Sequence, residues 1–200
     1  MGAAQGQHAG GTPPRPGAAP TGVPAPRTPG RYRIALVCLG NICRSPMADV
    51  VLTDRLDRAG LADRVEVTSS GTGGWHVGQP MDERAAATLT TAGYDASRHR
   101  ARQFAASWLD DRDLVLAMDA SNLAAVRGPG TGPDEGRVRL FRDFDPVDPG
   151  GEVPDPYYGG DAGFEEVLAM VERPADALVA ALRALLAPGP RPDVPGSRTS

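Results

Sequence analysis

Hydrophobic residues follow two different spacings in the middle of the chain, and the change between them predicts alternating strands and helices. Residues 31–38 (RYRIALVC) form a short apolar run of the kind found in buried strands, and residues 45–61 place apolar side chains at close to helical spacing. The same criteria predict strands at 64–71, 113–119 and 138–141, and helices at 81–94, at 121–127 and from 163 onward. This order predicts a single α/β domain with a four-stranded parallel sheet and helices on both faces.

Particular residues predict where the helices begin and end. Ser45 is a good N-cap residue and Pro46 suits the first position of a helix, so the first helix should begin there and end at Gly60. Pro174 lies inside the last helical pattern, where it cannot donate a backbone hydrogen bond. We therefore expect the last helix to be kinked or divided at this residue.

Composition predicts the limits of the domain. The chain of 200 residues is 40% apolar, but many of its 25 glycines and 20 prolines lie near the two ends. Residues 1–30 and 188–200 hold too few large apolar side chains to offset the entropy of ordering them. They are predicted to be disordered tails on either side of a domain at 31–187.

Charge and hydrophobicity exclude several classes of function. The net charge of −4 provides no basic field for nucleic acid or for an anionic membrane surface. Residues 1–30 lack the apolar core of a signal peptide, and no later segment approaches the roughly 20 apolar residues of a membrane span. We expect a cytoplasmic monomer without nucleic-acid or membrane partners.

Cys38 and Arg44 form the strongest chemical motif of the sequence. VCLGNICRSP places a cysteine at the carboxyl end of a buried strand, followed by a short loop, an arginine and a helix start. Gly40 and Asn41 tolerate positive φ angles, so the loop can turn its N–H groups inward to bind an anion beside the positive end of the helix. Arg44 can grip two phosphate oxygens, and the same donors favour the thiolate of Cys38 as a nucleophile.

Asp155 is the candidate general acid for this nucleophile. It lies in EVPDPYYGG, where Pro154 and Pro156 restrict the backbone and Tyr157 and Tyr158 can wall a pocket for an aromatic substrate. A leaving phenolate needs a proton, and a carboxylic acid on a loop near the cleft can supply it. In a second step the same carboxylate can act as a base on water.

These motifs together resemble the low molecular weight protein tyrosine phosphatase family. VCLGNICRSPMAD resembles its phosphate-binding loop and first helix, and VPDPYYGG resembles its acid loop. The similarity continues through TSSGTGGWHVGQPMDERA, HRARQF, DLVLAMDASNL and GFEEVLAMVE. The resemblance implies a phosphatase that hydrolyses phosphotyrosine in proteins through a phosphocysteine intermediate, without a metal or an organic cofactor.

The resemblance also implies roles for the positions around the loop. The phosphate-binding set is Leu39, Gly40, Asn41, Ile42, Cys43 and Arg44. The hydrogen-bond network that supports the loop is Asn41, Ser45, Ser69 and His99. The rim that shapes substrate preference is Trp75, Tyr157 and Tyr158. Cys43 matches a second cysteine that can form a reversible disulfide with Cys38.

Several of these residues have a plainer interpretation when each is taken alone. Cys38 and Cys43 can be small residues of the core, and Asp155 can be a turn residue before proline. His99 can lie exposed in its loop, and Trp75 can be a core aromatic. The tyrosine pair can be ordinary surface packing. The combination of motifs, rather than any one residue, favours catalysis.

Three other functions fit parts of the same pattern. A related branch hydrolyses phosphoarginine, but it typically has threonine where Ile42 stands, and an apolar residue suits a phenyl ring better. Thioredoxin-linked arsenate reduction uses cysteines away from the loop, and this chain has only Cys38 and Cys43. A non-catalytic phosphate-binding module should lack the nucleophile, the arginine or the acid, whereas this chain has all three.

Secretion without a signal peptide, known among relatives, is the alternative to a cytoplasmic location.

Overall fold

The computed structural model describes residues 22–129 and 136–187 of the chain. Within these ranges the strands are β1 (Tyr32–Cys38), β2 (Val65–Gly71), β3 (Leu114–Ala117) and β4 (Val138–Leu140). The helices are α1 (Arg44–Arg58), α2 (Glu83–Thr91), α3 (Trp108–Asp111), α4 (Ala120–Arg127) and α5 (Asp161–Leu185). The short helix α3 has no counterpart in the sequence-based prediction.

The strands form one parallel sheet in the order β2, β1, β3, β4. The register pairs Cys38 with Gly71 and Val37 with Ala117, so the carboxyl ends of the three longest strands meet at one edge. Ligands of α/β proteins bind at this edge. The prediction of a four-stranded parallel sheet is confirmed.

Side chains of β1 alternate between two apolar layers, because successive residues of a strand point to opposite faces. Tyr32, Ile34 and Leu36 belong to the larger cluster, which α1 and α5 cover. Ala35 and Val37 belong to the smaller cluster, which is covered by α3 and α4. Helices therefore lie on both faces of the sheet, as the alternating pattern predicts.

Helix α1 begins at Arg44, before the predicted N-cap. The N-cap position is Cys43, and no side chain caps the helix. Ser45 lies buried in the first turn, where its hydroxyl contacts the sulfur of Cys38 instead of the helix backbone. The prediction of Ser45 as the N-cap is therefore wrong. The predicted end is confirmed, since Gly60 follows the helix with a φ of 69°.

Helix α5 is one continuous helix of 25 residues with Pro174 inside it. The proline removes one backbone hydrogen bond, which led us to expect a kink or a division. Division does not occur, because buried side chains on both sides of the proline, such as Val171 and Leu178, hold the helix on the core.

No helix in the described part of the chain combines the length and the apolar character needed to cross a membrane.

Residues 22–30, which we assigned to the amino-terminal tail, pack against the domain. The backbone N–H of Arg27 donates to Oδ1 of Asp113 over 2.5 Å, and its guanidinium donates to two carbonyl groups at the end of α3. The packed unit therefore begins before the predicted boundary. The rest of that predicted tail, residues 1–21, and the tail at 188–200 lie outside the described residues.

Candidate active site

The loop after β1 turns around the sulfur of Cys38. Cys38 is the last residue of β1 and is buried, and the N–H of Asn41 donates to its Sγ over 3.2 Å. Asn41 has a φ of 56°, in the left-handed region that asparagine tolerates better than most residues. Gly40, which also tolerates a positive φ, does not adopt one. One left-handed residue is enough to direct a backbone donor at the sulfur.

A second donor to the sulfur is the hydroxyl of Ser45. Its Oγ lies 3.0 Å from Sγ of Cys38 and 3.2 Å from the carbonyl oxygen of Ser70. The hydroxyl has one proton, and Nδ2 of Asn41 already donates to its oxygen over 2.9 Å. When Cys38 is a thiolate, the proton goes to the sulfur, because hydrogen bonds to a charged acceptor are the stronger ones.

Asn41 is itself fixed from behind the loop. The backbone N–H of Arg102 donates to its Oδ1 over 2.9 Å, and Nε2 of His99 lies 2.8 Å from its carbonyl oxygen. Because a carbonyl can only accept, Nε2 must carry the proton. Burial lowers the pKa of His99, so the imidazole is held in its neutral form. His99 therefore supports the loop through the carbonyl group of Asn41.

Ser69 contacts a different part of the fold. It is buried near the carboxyl end of β2, and its hydroxyl hydrogen-bonds with Asp49 on α1. Burial raises the pKa of Asp49, while the hydrogen bonds from Ser69 and Thr53 oppose that rise. The structure thus joins Asn41, Ser45 and His99 in one network and places Ser69 against the helix that follows the loop.

Gly71 allows the loop to approach the end of β2. A Cβ atom at this position would lie 2.6 Å from the carbonyl oxygen of Leu39, which is closer than real Cβ atoms approach. The backbone N–H groups of Thr72 and Gly73 then donate to the carbonyls of Cys38 and Leu39, each over 2.9 Å. Sequence reasoning missed Gly71, although a glycine that ends a buried strand is a known sign of close backbone approach.

Arg44 is buried and held by two carboxylates. Its Nη1 lies 2.5 Å from Oδ2 of Asp119, and its Nη2 lies 2.6 Å from Oδ2 of Asp155. Asp119 also accepts from the N–H of Asn122 through Oδ1, over 2.7 Å, and so caps α4. Sequence reasoning missed Asp119. Its position just after β3 was the available signal, because the ends of neighbouring parallel strands meet at one edge.

The segment that carries Asp155 lies across the opening of the site. The N–H of Val153 donates to the carbonyl of Met118 over 2.8 Å, which ties the segment to the end of β3. Oδ1 of Asp155 accepts from the N–H of Tyr157 over 3.2 Å, while Oδ2 faces Arg44. The side chain remains 37% exposed, so the carboxylate can reach both the arginine and the solvent.

A cavity of about 350 Å³ opens above this constellation. The residues that line it are Cys38, Leu39, Gly40, Ile42, Cys43, Arg44, Trp75, His76, Asp155, Tyr157 and Tyr158. Asn41 is buried behind the loop and does not line the cavity. Trp75 is 70% exposed and Tyr158 is 94% exposed, so both belong to the rim and not to the core. Sequence reasoning missed His76, whose ring lies beside Gly40.

Cys43 lies buried at the side of the same cavity and is a free cysteine, as is Cys38. Burial, together with the carboxylates of Asp82 and Asp155, raises the pKa of Cys43 to about 12. Its thiol is therefore protonated at neutral pH and is not an alternative nucleophile. A disulfide partnership with Cys38 stays a prediction. Among the described residues, no group of three or more His, Cys, Asp or Glu side chains is placed to hold a metal ion.

Comparisons with known proteins agree on one family. Residues 33–186 match the model of the family described as low molecular weight phosphotyrosine protein phosphatase. A low molecular weight protein-tyrosine-phosphatase of Streptomyces coelicolor is 52% identical over 155 residues, which cover 76% of this chain and 94% of that protein. Phosphatase A of Mycobacterium tuberculosis is 45% identical over 141 residues, covering 70% of this chain and 84% of that one. The crystal structure of YfkJ from Bacillus subtilis superposes with a TM-score of 0.71 at 34% identity, covering 77% of this chain and 96% of that one.

Proposed function

The chain belongs to the low molecular weight phosphotyrosine protein phosphatase family, and we propose that it hydrolyses phosphotyrosine in proteins. The observation that carries this proposal is that Cys38, Arg44 and Asp155 line one cavity. A nucleophile, a phosphate clamp and a proton donor are the groups that a phosphatase with a cysteine nucleophile needs. A binding module without catalysis would need only the clamp.

The first step is attack of the Cys38 thiolate on phosphorus. The new bond joins Sγ to phosphorus, and the bond between phosphorus and the phenolic oxygen breaks, with the proton of Asp155 passing to that oxygen. The N–H of Asn41 and the hydroxyl of Ser45 both point at Sγ and hold it in place for the attack. Loop N–H groups and Arg44 bind the equatorial oxygens of the phosphoryl group and stabilise their negative charge in the transition state.

The second step is hydrolysis of the phosphocysteine. Asp155, now ionised, takes a proton from water, the water oxygen bonds to phosphorus, and the bond from phosphorus to Sγ breaks. Inorganic phosphate leaves, and Cys38 returns as a thiolate. The N–H and hydroxyl groups that point at Sγ can donate to the sulfur as it leaves, so one network serves both steps.

Substrate binding requires an exchange of partners at Arg44. In the structure, Asp155 contacts Nη2 and Asp119 contacts Nη1 of its guanidinium. A phosphate dianion can replace Asp155, which lies on a loop and is more exposed than Asp119. Once separated from Arg44, the carboxyl group of Asp155 is free to turn toward the oxygen of the leaving group. The exchange therefore prepares the acid for the first step.

An aromatic substrate suits the walls of the cavity. Ile42 lines it from the loop, and Trp75 and Tyr157 line it from the rim. Tyr157 and Tyr158 pack edge to face with ring centroids 5.1 Å apart, and both line the cavity. These surfaces favour the phenyl ring of phosphotyrosine over the guanidinium of phosphoarginine.

The test is kcat/KM on two peptides that differ only in the phosphorylated residue, phosphotyrosine or phosphoarginine. We expect strong preference for phosphotyrosine in the wild type and no turnover in Cys38→Ser. Preference for phosphoarginine would change the substrate class. Turnover that persists in Cys38→Ser would contradict the mechanism.

The partners of the protein, its location, its oligomeric state and the role of Cys43 are further proposals. Phosphotyrosine-containing proteins are the proposed partners, in the cytoplasm, with the chain acting as a monomer. We also propose that Cys43 protects Cys38 from oxidation by peroxide. Peroxide converts the thiol of Cys38 to a sulfenic acid, and Cys43 then attacks that sulfur, so that the S–O bond breaks, a disulfide forms and water leaves. The raised pKa of Cys43 leaves little thiolate at neutral pH, so this disulfide should form slowly.

A further inference from the structure

A groove between α2 and α5 adjoins the catalytic cavity. Its volume is about 530 Å³, and its apolar lining includes Ala87 and Leu168. Arg84 lines the groove and donates to the carbonyl of Tyr157 over 3.1 Å, and Tyr157 lines the catalytic cavity. The side chain of Arg84 and the backbone it binds therefore separate the two spaces. A peptide whose phosphotyrosine enters the cavity can extend over this ridge into the groove.

The groove is acidic. Its carboxylates are those of Glu83 on α2 and of Asp161, Glu165 and Glu172 on α5. Arg84 is the only basic residue among the described lining residues, and its Nε and Nη2 already bind Asp82 over 3.1 and 3.0 Å. Glu172 pairs with Arg55, and Asp161 lies close enough to Arg84 to raise the pKa of that arginine. Within the described ranges Glu83 and Glu165 form no ion pair, so the groove presents these two carboxylates to a cationic ligand.

Helix capping does not account for all of this charge. Glu83 and Asp161 lie in the first turns of their helices, where a negative side chain is favoured by the helix dipole. Glu165 lies in the second turn of α5, beyond the reach of that effect. It is exposed and faces the groove, so a structural role is not evident for it.

The size of the groove fits a peptide. The α2 side runs from residue 83 to residue 92, which spans about 13 Å at the helical rise of about 1.5 Å per residue. An extended chain covers this length with about four residues at roughly 3.3 Å each. The groove can therefore hold a short segment beside the phosphotyrosine.

We propose that this groove binds the polypeptide next to the phosphotyrosine and selects substrates with lysine or arginine there. The inference rests on the proposed phosphatase function. Opposite charges across a peptide interface mainly supply specificity and faster association, and salt weakens both. Substrates with basic flanking residues should therefore be hydrolysed with higher kcat/KM at low ionic strength.

The test uses three phosphotyrosine peptides of equal length. One carries arginines on the amino side, one carries them on the carboxyl side, and one carries glutamines at all these positions. Each is assayed with the wild type, with Glu165→Lys and with Asp63→Lys at low and high salt. Asp63 is exposed in the turn before β2, at the opposite edge of the sheet, so its substitution makes the same charge change away from the groove. Hydrolysis of p-nitrophenyl phosphate normalises each variant for its content of active enzyme.

We expect one arginine peptide to exceed the glutamine peptide several-fold in wild-type kcat/KM, with the ratio falling at high salt. Glu165→Lys should lower this ratio about threefold or more, which is the effect of losing one or two exposed ion pairs between enzyme and peptide. Asp63→Lys should preserve the ratio. Equal rates for the three peptides would overturn the inference while leaving the phosphatase function intact. An equal loss in Asp63→Lys would also overturn it, because net charge would then explain the preference. Failure to hydrolyse any peptide would overturn the proposed function and this inference with it.

Discussion

At the scale of single residues, the position of Arg44 between two carboxylates explains how the site can bind phosphate and still keep its arginine in place. Asp119 is held at the start of α4 and cannot leave without uncapping that helix. Among the described residues, the arginine and one backbone N–H of its own loop hold Asp155. Phosphate should therefore displace Asp155 and leave the contact with Asp119.

Asp155→Asn tests this exchange. The amide cannot donate a proton to the leaving group, so kcat with phosphotyrosine peptides should fall by about 10²- to 10⁴-fold. The same change removes the anion that competes for Nη2 of Arg44, so inorganic phosphate should inhibit more strongly. Steady-state assays give both kcat and the inhibition constant of inorganic phosphate. A lower kcat with weaker phosphate inhibition would contradict the displacement.

Asp119→Asn tests the fixed contact. Asparagine still caps α4, because it is as good an N-cap residue as aspartate, so thermal stability should change little. The charge-assisted bond to Arg44 is lost, and such bonds contribute about 1.5–3 kcal/mol, so kcat/KM should fall about 10- to 100-fold. Unchanged kcat/KM with a large loss of stability would assign Asp119 a purely structural role.

His99 should make stability depend on pH in the mildly acidic range. Its pKa is lowered in the fold by burial, so the unfolded chain binds a proton first as the pH falls. The stabilisation is complete above the unfolded pKa of about 6.5 and is lost as the pH falls toward the folded value, at up to about 1.4 kcal/mol per pH unit. Urea unfolding from pH 7.5 to 5.5 should show this decline, and His99→Gln should reduce it. An equal decline in the variant would exclude His99 as the cause.

At the scale of elements, the unit from β1 to α1 could be predicted from sequence because its contacts are local. The apolar run of the strand, the loop and the start of the helix follow within 14 residues of one another, from residue 32 to residue 45. The errors, one of them inside this unit, arose where a tertiary contact overrides the local signal. Ser45 serves the sulfur of Cys38 instead of the helix end, and Pro174 is held in α5 by the core on both sides.

Asp113 joins the segment at residues 22–30 to the sheet, and its substitution should weaken the fold without touching catalysis. Its buried carboxylate accepts from the backbone N–H groups of Arg27 and Arg33 over 2.5 and 2.7 Å. Asp113→Ala leaves both donors without this acceptor, and bonds to charged groups contribute about 1.5–3 kcal/mol each. We expect a loss of about 3 kcal/mol or more in urea unfolding, with kcat/KM nearly unchanged at a temperature where the protein stays folded. Unchanged stability would show that the contact is dispensable.

At the scale of the whole molecule, the residues carried by short catalytic motifs were easier to identify from the sequence than the residues around them. Cys38, Arg44 and Asp155 stand out because short motifs carry them, and all three line the cavity. Asp119 and His76 were missed because no catalytic motif carries them, and only their positions after β3 and beside Trp75 indicated them. The groove between α2 and α5 was missed because its acidic residues come from two distant helices.

The central claim is that phosphate passes through a covalent bond to Cys38. The most direct measurement is mass spectrometry of enzyme quenched with acid during turnover of a phosphotyrosine peptide, followed by digestion. We predict a phosphoryl group on the peptide that contains Cys38 and none on the corresponding peptide of Cys38→Ser. Phosphate attached to another residue, or hydrolysis that continues in Cys38→Ser, would contradict this account.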